Sequence, residues 1–136
     1  MSETCKVRVY AELNPTEDRS KVEKAMHSIV PSAEIRLVEE PGFRYLVGEA
    51  EGLDALKRLK AMLEARRIRD AARAVLLRWM ESNRVVMYFN KQAAYMGRIS
   101  FSEPSGESPL GPIRVEVETE NPRSVIDWLT SKSGST

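Results

Sequence analysis

Apolar and polar residues alternate from Cys5 to Leu13: Cys5, Val7, Val9, Ala11 and Leu13 against Lys6, Arg8, Tyr10 and Glu12. A period of two predicts a strand with one buried face. "NPTEDRS" follows, with Thr16 as the expected N-cap and Glu17 and Asp18 in the first turn. Val22, Met26, Ile29 and Val30 then recur at i, i+4, i+7 and i+8, which predicts an amphipathic helix closed by Pro31. "AEIRLVEE" and "FRYLVGEA" read as two further strands, joined by the turn pair Pro41-Gly42.

Residues 53–80 read as helix, but the apolar face does not stay in register. Leu53, Leu56, Leu59 and Leu63 form one stripe; Ile68, Ala71, Ala72, Val75, Leu76, Trp79 and Met80 form another. At about 100° per residue the second lies roughly half a turn round from the first. The pattern predicts two helices with a break near residues 67–70, Asp70 being a candidate cap. "RVVMYF" is a fourth strand and "GRISF" a fifth. "SEPSGESPLGP" has the composition of a long loop, and "IRVEVET" is a sixth strand. Asn121 followed by Pro122 marks a cap and a first helical position. Val125, Trp128 and Leu129 supply that last helix with a buried face. Strands and helices do not alternate steadily. The fold class expected is α+β: a mostly antiparallel sheet of five to six strands with helices on one face. We expect a single domain over residues 1–130 and a frayed tail over 131–136.

Composition narrows the function. With 136 residues, 42% hydrophobic and 30% charged, the chain can bury a real core and belongs to the globular class. No apolar run approaches the roughly 18 residues of a membrane span. "MSETCKVRVY" lacks the apolar region of a signal peptide, and there is one cysteine. We therefore expect a cytoplasmic protein with no disulfide framework and no membrane partner. Glu outnumbers Asp, and Asn and Gln are scarce, a skew found in heat-adapted proteins. Net charge is only +1, so any affinity for nucleic acid must come from a local patch.

Catalytic constellations are missing. His27, the only histidine, lies inside the first predicted helix, and Cys5 on the apolar face of the first strand. Zinc ligation by Cys and His is excluded by the counts, and no phosphate-binding glycine motif occurs. No cofactor and no enzymatic activity are expected. Glu116, Glu118 and Glu120 share one strand face, as do Glu49 and Glu51, and are expected to pair with Lys6 and Arg8 across a sheet.

The basic signal is local. Lys57 to Arg78 holds eight cations against Glu64 and Asp70, a charge of +6. Arg66, Arg69 and Arg73 fall at i, i+3 and i+7, one stripe beside the apolar face. The guanidinium fork suits phosphate; a solvated helix face is the other reading. "FNKQAAYMG" places Asn90, Lys91 and Gln92 just past the most apolar strand, in a chain with four asparagines and one glutamine. Lys91 can meet a phosphate, Asn90 and Gln92 can bond base edges or 2′-hydroxyls, and Tyr88, Phe89 and Tyr95 can stack on bases. Alternatively the amides satisfy backbone where the strand ends, and Phe89 and Tyr95 are core.

"DAARAVLLR", "FNKQAAYMGRISF", "ESPLGPIRVEVE" and "IDWL" together resemble a family of small uncharacterised archaeal proteins predicted to bind RNA. "VRVYAELNPTEDRSKVEKAM" and "VGEAEGLDALKRLKAMLEARRIRDAAR" match as well, so the resemblance reaches nearly the whole chain, to about Leu129. It implies a fold similar to the large-subunit ribosomal protein that holds 5S ribosomal RNA, RNA as partner, with ribosomal RNA among the candidates, and a homodimer. The expected function is non-catalytic RNA binding through Arg66, Arg69, Arg73, Asn90, Lys91 and Gln92. The alternative is a dimeric protein-interaction module without nucleic acid, motivated by the rotated second helical stripe, which would seek a partner.

Overall fold

The chain runs β1 (Cys5–Glu12), α1 (Arg19–Ile29), β2 (Glu34–Glu40), β3 (Phe43–Glu51), a 3-10 turn (Leu53–Leu56), α2 (Lys57–Ala65) and α3 (Arg69–Arg78). It continues with β4 (Met80–Glu81), β5 (Arg84–Asn90), α4 (Lys91–Tyr95), β6 (Pro112–Thr119) and α5 (Pro122–Leu129). This computed structural model describes residues 5–65, 67–103 and 111–131. Arg66, most of the "SEPSGESPLGP" loop including Ser108 and Pro109, and the tail after Ser131 lie outside the described residues.

The six strands form one antiparallel sheet in the order β2-β3-β1-β6-β5-β4. The alternation read from the sequence sets its two faces. Val7, Val9 and Ala11 of β1 point to one side with Leu46, Val85, Met87, Phe89, Ile113, Val115 and Val117. The helices cover that side, contributing Val22, Met26 and Ile29, then Leu56, Leu59 and Leu63, and Leu76, Val125, Ile126 and Leu129 to the same core. The fold is thus the α+β class expected. The other face is open, and its charges pair as expected for Arg8 with Glu49 (3.5 Å), with Arg84 and Arg114 sharing Glu116 at 3.1 and 2.8 Å.

The break between the middle helices is present. α2 ends at Ala65 and α3 starts at Arg69, so Leu59 and Leu63 on one and Ala72 and Leu76 on the other all enter the one core. Ile68 packs against that core, Val75 and Trp79 are half-buried, and Ala71 and Met80 of the same stripe stay exposed.

Several local expectations are corrected. Thr16 is not the cap of α1; it belongs to the turn Asn14–Glu17, closed by the Glu17 amide on the Asn14 carbonyl at 2.9 Å. Asp18 caps instead, accepting from the Ser20 amide at 3.0 Å, and the hydroxyl and amide of Ser20 hold its carboxyl below the ordinary 3.8. Asp70 sits in the first turn of α3 and makes no side-chain cap, the N-cap being Ile68. "GRISF" is not a strand. It meets β5 only through a single bridge, Phe89 to Phe101, flanked by the Asn90 amide on the Ser100 carbonyl and the Ser102 amide on the Tyr88 carbonyl. "IRVEVET" forms β6 as expected, and the strand that completes the sheet is the two-residue β4, on the same edge of β5. Asn121 caps α5 as expected, with Pro122 at its first position.

Gly48 faces the core from β3, where a Cβ would lie 3.0 Å from the Ala33 Cβ and 3.2 Å from the Ile35 Cγ1. Gly48→Ala is therefore expected to cost about 1–3 kcal/mol by overpacking. A lowered urea midpoint at unchanged slope would register it; an unchanged midpoint would mean that β2 yields freely.

Candidate nucleic-acid interface

The local charge of +6 is less available than its composition suggests, because two of its cations hold the fold's own carbonyls and two more pair with carboxylates. Arg58 Nε donates to the Ser28 carbonyl at 2.7 Å, tying α2 to α1. Lys60 Nζ donates to the Trp128 carbonyl at 2.9 Å and to Ser131, and lies over the Trp128 ring at 5.5 Å. Burial lowers the pKa of Lys60, with Glu64 opposing and Arg69 adding to that shift. Lys57 pairs with Asp54 at 3.4 Å. Arg73 Nη1 reaches Asp127 on α5 at 2.6 Å, and both groups are partly in solvent.

Arg67, Arg69 and Arg78 are different. Among the described residues no ion pair or hydrogen bond holds their side chains; Arg67 and Arg78 are exposed and Arg69 half-buried. They gather at the two ends of α3. The geometry of the α2–α3 junction explains Arg67. Its amide bonds the Glu64 carbonyl at 3.1 Å while the Ile68 amide bonds the Leu63 carbonyl at 3.3 Å. That is a Schellman termination, which needs a left-handed residue, and Arg67 supplies it at φ 56°. Glycine is the usual occupant because a Cβ is penalised there. Sequence reasoning placed the break but missed Arg67, since nothing in "EARRIRD" marks a residue of positive φ.

The amide cluster is built otherwise. Asn90 ends β5 and caps α4, its Oδ1 accepting from the Ala93 amide at 2.8 Å. Lys91, the first residue of α4, is only 4% exposed. Its Nζ donates to the Glu12 carbonyl at 2.9 Å and to both Glu17 carboxylate oxygens at 3.1 and 3.2 Å. The expectation that Lys91 meets a phosphate is corrected on that ground: its charge is buried and answered within the chain. Gln92 stays exposed, at the rim of a cavity of about 360 Å³ between α1 and α4 that Thr16, Lys21, Tyr95 and Met96 also line. Phe89 is core, and Tyr95 carries Lys24 over its ring at 4.7 Å. Cys5 is buried, and His27 Nε2 lies 2.8 Å from the Ala33 carbonyl oxygen, both structural roles. Among the described residues no group of three or more His, Cys, Asp or Glu could hold a metal ion, and no helix is long and apolar enough to cross a membrane.

The profile of a family described as RNA binding matches residues 6–119. A UPF0201 protein of Aeropyrum pernix is 43% identical over 125 residues, spanning 91% of this chain and 83% of its own. Another from Sulfolobus acidocaldarius is 38% identical over 128 residues, with 94% and 88% covered. The crystal structure of a UPF0201 protein from Methanococcus jannaschii superposes with a TM-score of 0.82 at 32% identity, over 93% of this chain and 99% of that one. These matches span the sheet, both middle helices and α4 together, and by them the chain belongs to the RNA-binding family of archaeal proteins that includes the UPF0201 proteins.

Proposed function

We propose that the protein is a non-catalytic binder of structured RNA, ribosomal RNA being the first candidate, acting as a cytoplasmic homodimer. Phosphates are met by Arg67 at the α2–α3 junction and by Arg69 and Arg73 along α3, Arg66 joins them from the sequence reading alone, and Gln92 adds hydrogen bonds from α4. The observation that carries this reading is Arg67. An arginine in a left-handed position costs stability that glycine would retain, and strain of that kind concentrates at functional sites. Its neighbour Arg69, and Arg78 at the far end of α3, are likewise uncommitted among the described residues, so cations are available for a ligand along that helix.

Binding of 5S ribosomal RNA, a structured control RNA and duplex DNA across a salt series tests the function. Selective binding, with log K falling steeply in log salt, is the expected outcome. Equally weak binding of all three would reduce the patch to a solvated helix face. Light scattering at twice the 15.4 kDa chain mass is expected for the homodimer.

Arg67→Gly separates the two roles of that residue. The variant should be more stable by about 0.5–1 kcal/mol, because the left-handed cost is relieved. It should also bind RNA more weakly, a trade of stability against function. A melting curve and a binding isotherm on the same sample decide it: equal affinity would remove Arg67 from the interface, and lower stability would remove the strain argument.

A further inference from the structure

The open face of the sheet carries a row that the arginine surface does not use. Register places Tyr88 of β5 against Arg114 of β6, Arg114 against Tyr10 of β1, Tyr10 against Val47 of β3, and Val47 against Arg36 of β2. All five point to the side away from the helices, since their sequence neighbours Phe89, Val115, Val9 and Leu46 fill the core. The row therefore offers aromatic, cation, aromatic, aliphatic and cation in turn, one per strand. Strands lie about 4.8 Å apart, so the two tyrosine rings sit roughly 10 Å apart with a guanidinium between them.

Phe43 and Tyr45 extend the row along β3. Their rings stack at 5.6 Å between centroids and 20° between planes, and Phe43 is 51% exposed. The Tyr45 hydroxyl donates to Glu40 at 3.0 Å, and Trp79 braces the Tyr88 ring edge-on at 5.3 Å. The rings are thus held rather than free to turn. Tyr10, Tyr45, Phe43, Tyr88 and Arg114 line a cavity of about 360 Å³, with Glu12 at its rim. Arg114 is held in the row as well: its Nη2 is taken by Glu116 at 2.8 Å and its Cζ lies 5.8 Å from the Tyr10 centroid.

We propose that this row is a stacking platform for unpaired RNA bases, separate from the arginine surface on the helical side. The chemistry fits a base and not a phosphate: flat π-faces on a sheet, an arginine to stack and donate, and one carboxylate suited to base amino groups. Glu116 and Glu49 beside the row are already paired with Arg84, Arg114 and Arg8, which leaves Glu12 as its carboxylate for a base amino group. A second copy of this chain packed face to face about a twofold through the row would set Arg114 against its own copy, like charge on like. The inference rests on the RNA-binding reading above, but not on which surface meets phosphates.

The test uses the whole protein, a single-stranded RNA octamer, and a blunt RNA duplex without unpaired bases, followed by fluorescence anisotropy. Tyr10→Leu and Tyr45→Leu keep apolar bulk and remove the π-face. Each should weaken octamer binding about tenfold or more and leave duplex binding unchanged. Tyr45→Phe, which keeps the ring, should bind the octamer like the wild type. If Tyr10→Leu disturbs the sheet by circular dichroism, Phe43→Ser at the exposed rim reads the same platform. Wild-type affinity for the octamer in folded Tyr45→Leu and Phe43→Ser overturns the platform. So does a wild-type dimer that these variants convert to monomer without change in octamer affinity, which would assign the face to a second copy. Wild-type protein that binds the duplex but not the octamer removes the platform and keeps the arginine reading. Protein that binds neither removes both.

Discussion

Lys91→Ala is expected to lower the melting temperature by roughly 10 °C while leaving the RNA affinity of the folded protein unchanged. Lys91 and Glu17 side chains are 5% and 10% exposed, and their ion pair joins residues 74 apart in sequence. Removing one member of a buried pair strands the other's charge, at a cost of about 3–5 kcal/mol. Glu17 keeps two other donors, the amide and the side-chain nitrogen of Asn14, at 3.0 and 2.7 Å. The lower end of the range, about 3 kcal/mol, is therefore the right expectation. The Glu12 carbonyl also loses a donor, and the lysine stem leaves a void between α4 and α1. Lys91→Met combined with Glu17→Leu should recover part of the loss, because it removes both charges and keeps the volume. A melting temperature within 2 °C or so of wild type in Lys91→Ala would show that water replaces the ammonium at little cost. A large fall in RNA affinity at a temperature well below melting would return Lys91 to the interface.

The second large effect is on affinity. Reversing Arg66, Arg69 and Arg73 to Glu should weaken binding to structured RNA by one to two orders of magnitude, about 1.4–2.8 kcal/mol, at low salt. It should also flatten the dependence of log K on log salt by roughly 0.7–0.9 for each phosphate no longer neutralised. The three positions are not equivalent. Arg73 already commits one nitrogen to Asp127, so its reversal places two acids side by side between α3 and α5 and costs some stability. Arg69 has no such partner among the described residues, and its reversal alone should account for most of the change per charge. The comparison of Arg69→Glu with Arg73→Glu thus separates phosphate binding from a loosened α3–α5 packing. Unchanged affinity in the triple variant, with its fold intact, would sink the arginine surface.

The sequence carried the fold wherever one local period decided it. Alternation in "CKVRVYAEL" and "IRVEVET" placed β1 and β6 with their faces correctly assigned, because a slip of one residue would expose every valine. The phase jump between Leu63 and Ile68 gave the helix break for the same reason. What failed was decided by partners far along the chain. "GRISF" alternates too little to show that β5 offers it only a short stretch of edge beyond β4. Lys91 reads as a solvent-facing cation until Glu17 closes over it. In the candidate site the stripe of Arg69 and Arg73 was legible, being a matter of helical spacing. The commitment of Arg73 to Asp127, and the left-handed Arg67, were not. Tyr88 was read as a stacking residue from its sequence neighbours alone, but its row with Arg114 and Tyr10 exists only through register across three strands.

The middle of the sheet is made by the two strands farthest apart in the chain, with Cys5 against Thr119. On the ribosome, β1 can pair early with β3, which in turn pairs with β2, yet its other edge stays unpaired until β6 has been synthesised. At ordinary elongation rates that interval is on the order of ten seconds. An unpaired edge of alternating valines is a template for wrong pairing, within the nascent chain or between neighbouring ones. The first strand to be made is thus the last to be completed, and protection of the growing chain from misassembly falls on that edge.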